Sequence, residues 1–185
     1  MKAPRVPFAI AAATVLLALP LAGCAGVSMQ GVDTAPKQIV VASSAFEEGA
    51  SIPARYTCQG DDVSPPLSFR NVPGAARALA LVMDDPDAPG GTFTHWLAWN
   101  IPATKAAIAG DEDLSRFARL GANDFGKIGY GGPCPPSGTH RYVFKVYATR
   151  ELLDLPTGAS RDALLEALEG RVLARGELVG TYAKR

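Results

Sequence analysis

The run at residues 140–149 (HRYVFKVYAT) constrains the fold more than any other stretch of this chain. On a two-residue period His140, Tyr142, Phe144, Val146 and Ala148 share one face, and Arg141, Val143, Lys145 and Tyr147 share the other. A strand with an apolar, aromatic face needs neighbouring strands beside it and a second layer against it. Two other runs supply neighbours. Residues 77–83 (RALALVM) are almost continuously apolar. At that length, between turn signals, they read as a strand buried on both faces, although periodicity alone does not separate this from a helix. Residues 94–101 (THWLAWNI) place His95, Leu97, Trp99 and Ile101 on one face and Trp96, Ala98 and Asn100 on the other. Both faces are largely apolar, so this is a second interior strand.

The remaining segments are shorter. Residues 38–46 begin with Ile39-Val40-Val41 and read as the first strand. Residues 52–66 (IPARYTCQGDDVSPP) are a long ordered loop, 67–69 a short strand and 71–74 a turn. Residues 102–132 are too long for a structureless loop and should contain short local elements, pinned by Phe117, Leu120 and Phe125. Asp111, Glu112 and Asp113 read as a solvated surface. Near the end, Ser160 is an N-cap for a helix whose apolar stripe is Leu164, Leu165, Leu168 and Val172. Gly170 should bend or break this helix and Gly176 should end it, before a last short strand at 177–182. The pattern is a mainly β domain, sheet on sheet, with one late helical hairpin at the periphery.

The N-terminus reads as a targeting segment rather than as fold. Lys2 and Arg5 precede an apolar stretch at 8–21 that is too short and wrongly flanked for a membrane span. It ends in LAGC at 21–24, which resembles a bacterial lipobox. Residues 1–23 are thus expected to be a lipoprotein signal peptide. Cys24 would be the lipidated mature N-terminus, residues 24–37 a tether, and residues 38–185 the domain. An ordinary signal peptide with a chance cysteine is the alternative. Several acyl chains, palmitate among them, would anchor the protein where one would not. The expected location is the bacterial cell envelope, lipid-anchored and facing the periplasm or exterior. Removing residues 1–23 leaves 16 basic against 18 acidic residues, a net charge of −2 without a basic block, so nucleic acid is a poor candidate partner. Besides Cys24, the chain has Cys58 and Cys134. Export to an oxidising compartment favours a disulfide between them, with two free thiols as the alternative.

The chemistry concentrates in residues 83–102 (MDDPDAPGGTFTHWLAWNIP), which hold Asp84, Asp85, Asp87, one of the two histidines and both tryptophans. The second histidine, His140, matches His95 in position: each begins a strong strand after a proline- and glycine-rich loop. Metal binding by two histidines and a carboxylate lacks any HExxH-like spacing. A serine hydrolase could recruit Ser137, but there is no G-x-S-x-G elbow. Acid–base catalysis by the aspartates with a histidine stays open, though nothing selects a substrate. A pocket for a small anion fits the residue set best. Imidazole N–H, a tyrosine hydroxyl and backbone N–H groups would donate to the anion, and the aspartates would orient the histidines.

Motifs in a fixed order carry a resemblance. They are YTCQG at 56–60 with SPPL at 64–67, DDPDAP at 84–89, and GT at 91–92 with THW at 94–96 and NIP at 100–102. GY at 129–130 follows with GPCPP at 132–136, then HRYVF at 140–144 and LVGTY at 178–182. In these the chain resembles the bacterial, Raf kinase inhibitor-like branch of the phosphatidylethanolamine-binding protein (PEBP) family, over residues 39–182. The resemblance implies an antiparallel β-sandwich with Greek-key connections and a short C-terminal helical segment. It implies a pocket for small anions or phospholipid head groups, with ligand-binding positions at Asp85, Asp87, His95, His140 and Tyr142 and with Pro89 and Pro133 as walls. Bacterial members often carry a histidine in the last helical segment where this chain has Arg171, which could itself attract an anion. The expectation is a binding protein, not an enzyme, with no cofactor and no metal. The alternative is an interaction module that inhibits a protease or kinase-like partner through the pocket rim. No particular protein partner is indicated.

Overall fold

The computed structural model describes Met1, Val32 and residues 34–184. The expected signal peptide and Cys24 lie outside the described residues. Among the described residues, eight strands, two short 3-10 turns and, near the C-terminus, an α-helix follow one another along the chain. The strands and the helix are β1 (Val40–Ala42), β2 (Leu67–Arg70), β3 (Ala78–Asp85), β4 (Phe93–Pro102), β5 (Ala107–Ile108), β6 (Arg119–Leu120), β7 (Thr139–Thr149), α1 (Arg161–Leu168) and β8 (Val172–Ala183). All named strand pairs are antiparallel. A small sheet runs β1-β2-β5, and a large one runs β6-β4-β3-β7-β8. The chain passes from β4 to the small sheet and back to β6 before β7 comes to lie beside β3.

The mainly β reading therefore holds, and β3 shows why. All eight of its residues are buried. Leu79, Leu81 and Met83 join the core between the sheets, while Ala80 and Val82 join a second cluster with α1. The sandwich core also takes Tyr142, Phe144, Val146 and Ala148 from β7, the face that alternation assigned to them. The second cluster takes Tyr147 from β7 with Leu164, Leu165 and Leu168 from α1. The large sheet is thus covered on both sides, which is why its central strands read as apolar runs.

Strand β4 departs from strict alternation twice. Met83 pairs with Trp96 but Asp84 with Thr94, leaving His95 as an extra residue; Leu79 pairs with Ile101 but Leu81 with Ala98. Each shift is a bulge that turns the following residues to the other face. Trp96, Ala98 and Ile101 consequently share the sandwich core, while Leu97 and Trp99 face α1. The single face expected for His95, Leu97, Trp99 and Ile101 does not exist. Asn100 sits at the second bulge with φ +59°, and its side-chain amide bonds the backbone N–H and C=O of Leu153.

The chain's end also differs from expectation. Ser160 does cap α1, its hydroxyl accepting from Ala163 N–H, and Gly170 turns the chain at φ +68°. Among the described residues this end holds one helix rather than a helical hairpin, and the last strand runs for 12 residues instead of starting at 177. Gly176 lies inside β8 opposite Val146 and ends no helix. It is a glycine because a Cβ there would sit 2.1 Å from the carbonyl oxygen of Ile39. The first strand is short, and the residues before it dock along β8. Arg175 donates its N–H to Pro36 O, and Gln38 and Ile39 donate to Arg175 O. Lys37 forms an ion pair with Glu177.

Gly176→Ala should therefore destabilise the domain by roughly 2 kcal/mol or more, because backbone faces backbone and neither can retreat. Gly74→Ala, where a Cβ meets nothing within 4 Å, should be close to neutral. Urea denaturation of the two variants checks the contrast.

Candidate functional site

At the end of β3, alternation sends two consecutive carboxylates to opposite sides of the sheet. Asp84 faces α1, where the Arg161 guanidinium binds it through Nε and Nη2 at 3.0 and 2.9 Å, with Lys145 Nζ 4.0 Å away. Asp85 faces the sandwich side. Its Oδ2 accepts from His140 Nδ1 at 2.7 Å, and its Oδ1 accepts from the backbone N–H of Asp87 at 2.9 Å. Both groups are buried, Asp85 at 3% exposure and His140 at 7%. An ionised carboxylate only accepts, so the His140 proton is on Nδ1, and Nε2 is the nitrogen left for a ligand.

The bulge in β4 brings His95 into the same cluster. Without it, His95 would follow Leu97 and Trp99 toward α1. The ring instead stands edge-on to Tyr142, centroids 5.1 Å apart, flanked by Phe93 and Phe125 at 5.2 and 5.3 Å. Its Nδ1 donates to the carbonyl of Gly131 at 2.7 Å. Burial holds the ring's pKa below the usual 6.5, against the opposing pull of the Gly131 and Gly132 backbone and of the Asp85 and Asp84 charges. Phe125 was expected to pin the irregular segment to the core; 42% exposed, it packs on His95 and Phe93.

Tyr142 completes the group. Its side chain is entirely buried, and its hydroxyl has no partner within hydrogen-bond geometry. The Asp85 carboxylate and the Cys134 backbone are close enough to affect its ionisation. Burial, followed by the Asp85 charge, pushes its pKa well above the ordinary range.

The sequence-predicted residues separate into a centre and a rim. Asp85, His95, His140 and Tyr142 converge. Asp87 does not orient a histidine. Its Oδ2 accepts from the backbone N–H and Nε of Arg141, both at 2.9 Å, and its Oδ1 from Nη2 at 2.6 Å. It ties the turn after β3 to the start of β7. Pro89 lies exposed in that turn. Pro133 is buried and accepts from Cys58 N–H at 3.1 Å. Cys58 and Cys134 form a disulfide, Cα atoms 5.4 Å apart, that joins the two long loops beside the site. Arg171 is not in the cluster. It lies just after α1, bonded to Glu151 Oε1 at 2.6 Å and to Ala167 O at 2.9 Å. Sequence reasoning missed Gly131, whose carbonyl sets the His95 tautomer; a backbone role leaves no side-chain signal. An added Cβ there would meet the Phe125 ring at 2.6 Å. Among the described residues, no three histidine, cysteine, aspartate or glutamate side chains converge as a metal site requires.

The Arg141 guanidinium, seconded by the Arg141 backbone N–H, lowers the Asp87 pKa from 3.8 to about 2. A carboxyl whose folded-state pKa is depressed stabilises fully above its unfolded value, and that stability is lost as pH falls through the folded value. Carbon-13 titration should place the Asp87 midpoint near 2. Asp87→Asn should remove the part of the acid destabilisation that falls between pH 3.8 and about 2.

Known proteins resemble this chain in sequence and in fold. The profile of the family described as phosphatidylethanolamine-binding protein matches residues 42–183. A UPF0098 protein of Methanothermobacter thermautotrophicus is 49% identical over 146 residues, covering 76% of this chain and 95% of that protein. One from Chlamydia trachomatis is 43% identical over 147 residues, 77% of this chain and 97% of its own. Among solved structures, the putative PEBP homologue CT736 of Chlamydia trachomatis has a TM-score of 0.77 at 40% identity, and E. coli YbcL, described as a new member of the mammalian PEBP family, has 0.75 at 31%. Both superpose on 80% of this chain and 99% of their own. By sequence and by fold, the chain belongs to the phosphatidylethanolamine-binding protein family.

Proposed function

We propose that this protein is an extracytoplasmic lipoprotein that binds small anions or phospholipid head groups in the pocket around Asp85, His95, His140 and Tyr142, and that it acts by binding rather than by catalysis. Membership of the family and its fold support a ligand-binding or interaction role in general. The finer reading rests on one observation: a buried tyrosine hydroxyl without a partner belongs to a ring that meets His95 edge-on and lies two residues from His140 on the same strand, and both histidines have their Nδ1 atoms already committed. Hydroxyl and imidazole groups held ready in a site of low dielectric suit a small polar ligand. The names of the relatives point the same way, since they speak of phosphatidylethanolamine binding.

The anchor supports a ligand found at a membrane. Val32 is 2% exposed, packed with Ala80, Val82 and Trp99 on the α1 side of the large sheet. Cys24 precedes it by eight residues, a span of at most about 29 Å when fully extended. Lipid on Cys24 would therefore hold the domain close to the head groups.

His140→Ala should abolish binding of phosphate or phosphoethanolamine in calorimetry while leaving the circular dichroism spectrum unchanged. Undiminished affinity in that variant would remove the pocket assignment. Separately, Cys24→Ala should end labelling by palmitate and move the protein from the membrane fraction to the soluble one. Retention in the membrane without label would overturn the lipoprotein reading.

A further inference from the structure

We propose that the pocket selects an anion that carries its own hydrogen-bond donor, such as a phosphate bearing a P–OH, and rejects an isosteric anion that has none, such as sulfate. This rests on the anion-pocket reading above and specifies the chemistry of its ligand.

The polarity of each group in the cluster decides the matter. The Gly131 carbonyl can only accept, so the His95 proton lies on Nδ1. A neutral ring then presents a lone pair at Nε2, and burial among Phe93, Phe125 and Tyr142 keeps it neutral. His140 likewise spends its Nδ1 proton on Asp85. The Asp85 carboxylate, 3% exposed, brings negative charge and lone pairs to the same place. Tyr142 supplies one O–H; the Asp85 carboxylate and the Cys134 backbone lie close to it, but neither meets it in hydrogen-bond geometry.

The cations nearby are committed elsewhere. Arg141 is on Asp87, and Arg161 and Lys145 are turned to Asp84 across the sheet. Of the other ionisable groups in the surrounding loops, Asp62, Tyr130 and Asp124 add no positive charge, Arg55 is paired with Asp61, and Lys127 is exposed. Asp62 accepts from Gly132 N–H, Tyr130 donates to Tyr56 O, and Asp124 accepts from Thr94 N–H.

A ligand with lone pairs alone would satisfy the Tyr142 hydroxyl but face the His95 lone pair and the Asp85 charge with nothing to donate. A phosphate oxygen that carries hydrogen can donate to His95 Nε2 while another accepts from Tyr142. A head-group ammonium could provide the donor in the same way. The shared requirement is an oxyanion and a donor in one ligand, whether free phosphate or a phosphoethanolamine head group.

Calorimetry on the full-length protein in detergent, at neutral pH and matched ionic strength, tests this with four probes. Inorganic phosphate and glycerophosphoethanolamine carry donors; sulfate and dimethyl phosphate do not. The donor-bearing ligand should bind at least about tenfold more tightly than sulfate, the loss expected when a buried polar group is left unpaired. Whether phosphate or glycerophosphoethanolamine binds better identifies the source. Sulfate binding as tightly as phosphate would overturn the donor requirement and leave the anion pocket standing. Failure of all four to bind would overturn both. His95→Gln, whose amide can donate, should bring the phosphate-to-sulfate ratio toward one, whereas Tyr142→Phe should weaken both anions alike. An unchanged ratio in a folded His95→Gln protein would also overturn the inference, and the comparison of anions on the unaltered protein needs neither variant.

Discussion

The Asp85 carboxylate fixes the site because each of its oxygens holds a different part of the chain. It ends a strand buried on both faces, and a charge in such a place must be matched by donors. Oδ1 takes the Asp87 N–H and so bends the chain out of β3; Oδ2 takes His140 and so fixes the ring at the start of β7. Asp87 then closes the same junction one residue further along, through Arg141. Two neighbouring carboxylates thereby zip the β3 turn onto the start of β7, the inner one buried and the outer one exposed. Asp84 does the same for the opposite layer, holding Arg161 at the first turn of α1. Three aspartates within four residues therefore serve three different attachments, which explains their density better than a shared catalytic duty would.

The other half of the site depends on backbone, and backbone needs support. The Gly131 carbonyl that orients His95 belongs to a segment with little regular structure of its own. Gly132 N–H donates to Asp62, Tyr130 to Tyr56 O and Cys58 N–H to Pro133 O, while the Cys58–Cys134 bond ties the two loops covalently. With the cysteines 76 positions apart in sequence, the bridge is worth about 4–5 kcal/mol if it acts on the entropy of the unfolded chain. Its position matters as much as its size. It restrains the loop that presents the carbonyl, and so keeps His95 in the Nδ1–H form.

This division explains what could be read in the sequence. β7 was legible residue by residue because it keeps its period from Tyr142 to Ala148. β4 was legible as a strand but not as two faces, because its two bulges each add a residue that no apolar pattern records. The bulge at His95 is also what brings its ring to Tyr142, so the residue whose face was misjudged is the one that completes the cluster. Gly176 was misread for a related reason: in sequence a glycine that ends a helix and one that admits a neighbouring backbone are the same letter. Asp85 and Asp87 could be placed in the turn from the motif, but their different duties follow from which donor each meets, and Arg141 lies 54 residues beyond Asp87. The disulfide was within reach because only two cysteines remain after Cys24.

The Tyr142 hydroxyl brings these constraints to a point. A buried hydroxyl without a partner costs about 1–3 kcal/mol, and phenylalanine would fill the same space without that cost. The rest of the β7 inner face shows how readily the core accepts such a residue, since Phe144 sits one pleat along, fully buried against Phe46. Stability alone gives no reason for the oxygen. It stands instead beside two imidazoles whose outward nitrogens are left over from Gly131 and Asp85, so the three form a set that is complete only with a ligand. A binding site of this kind is paid for in the free protein and satisfied in the complex, because the unmade hydrogen bond is formed at the moment of binding. On the proposed reading the fold holds Tyr142 for a ligand, and the lone pair of His95 decides which ligand that is.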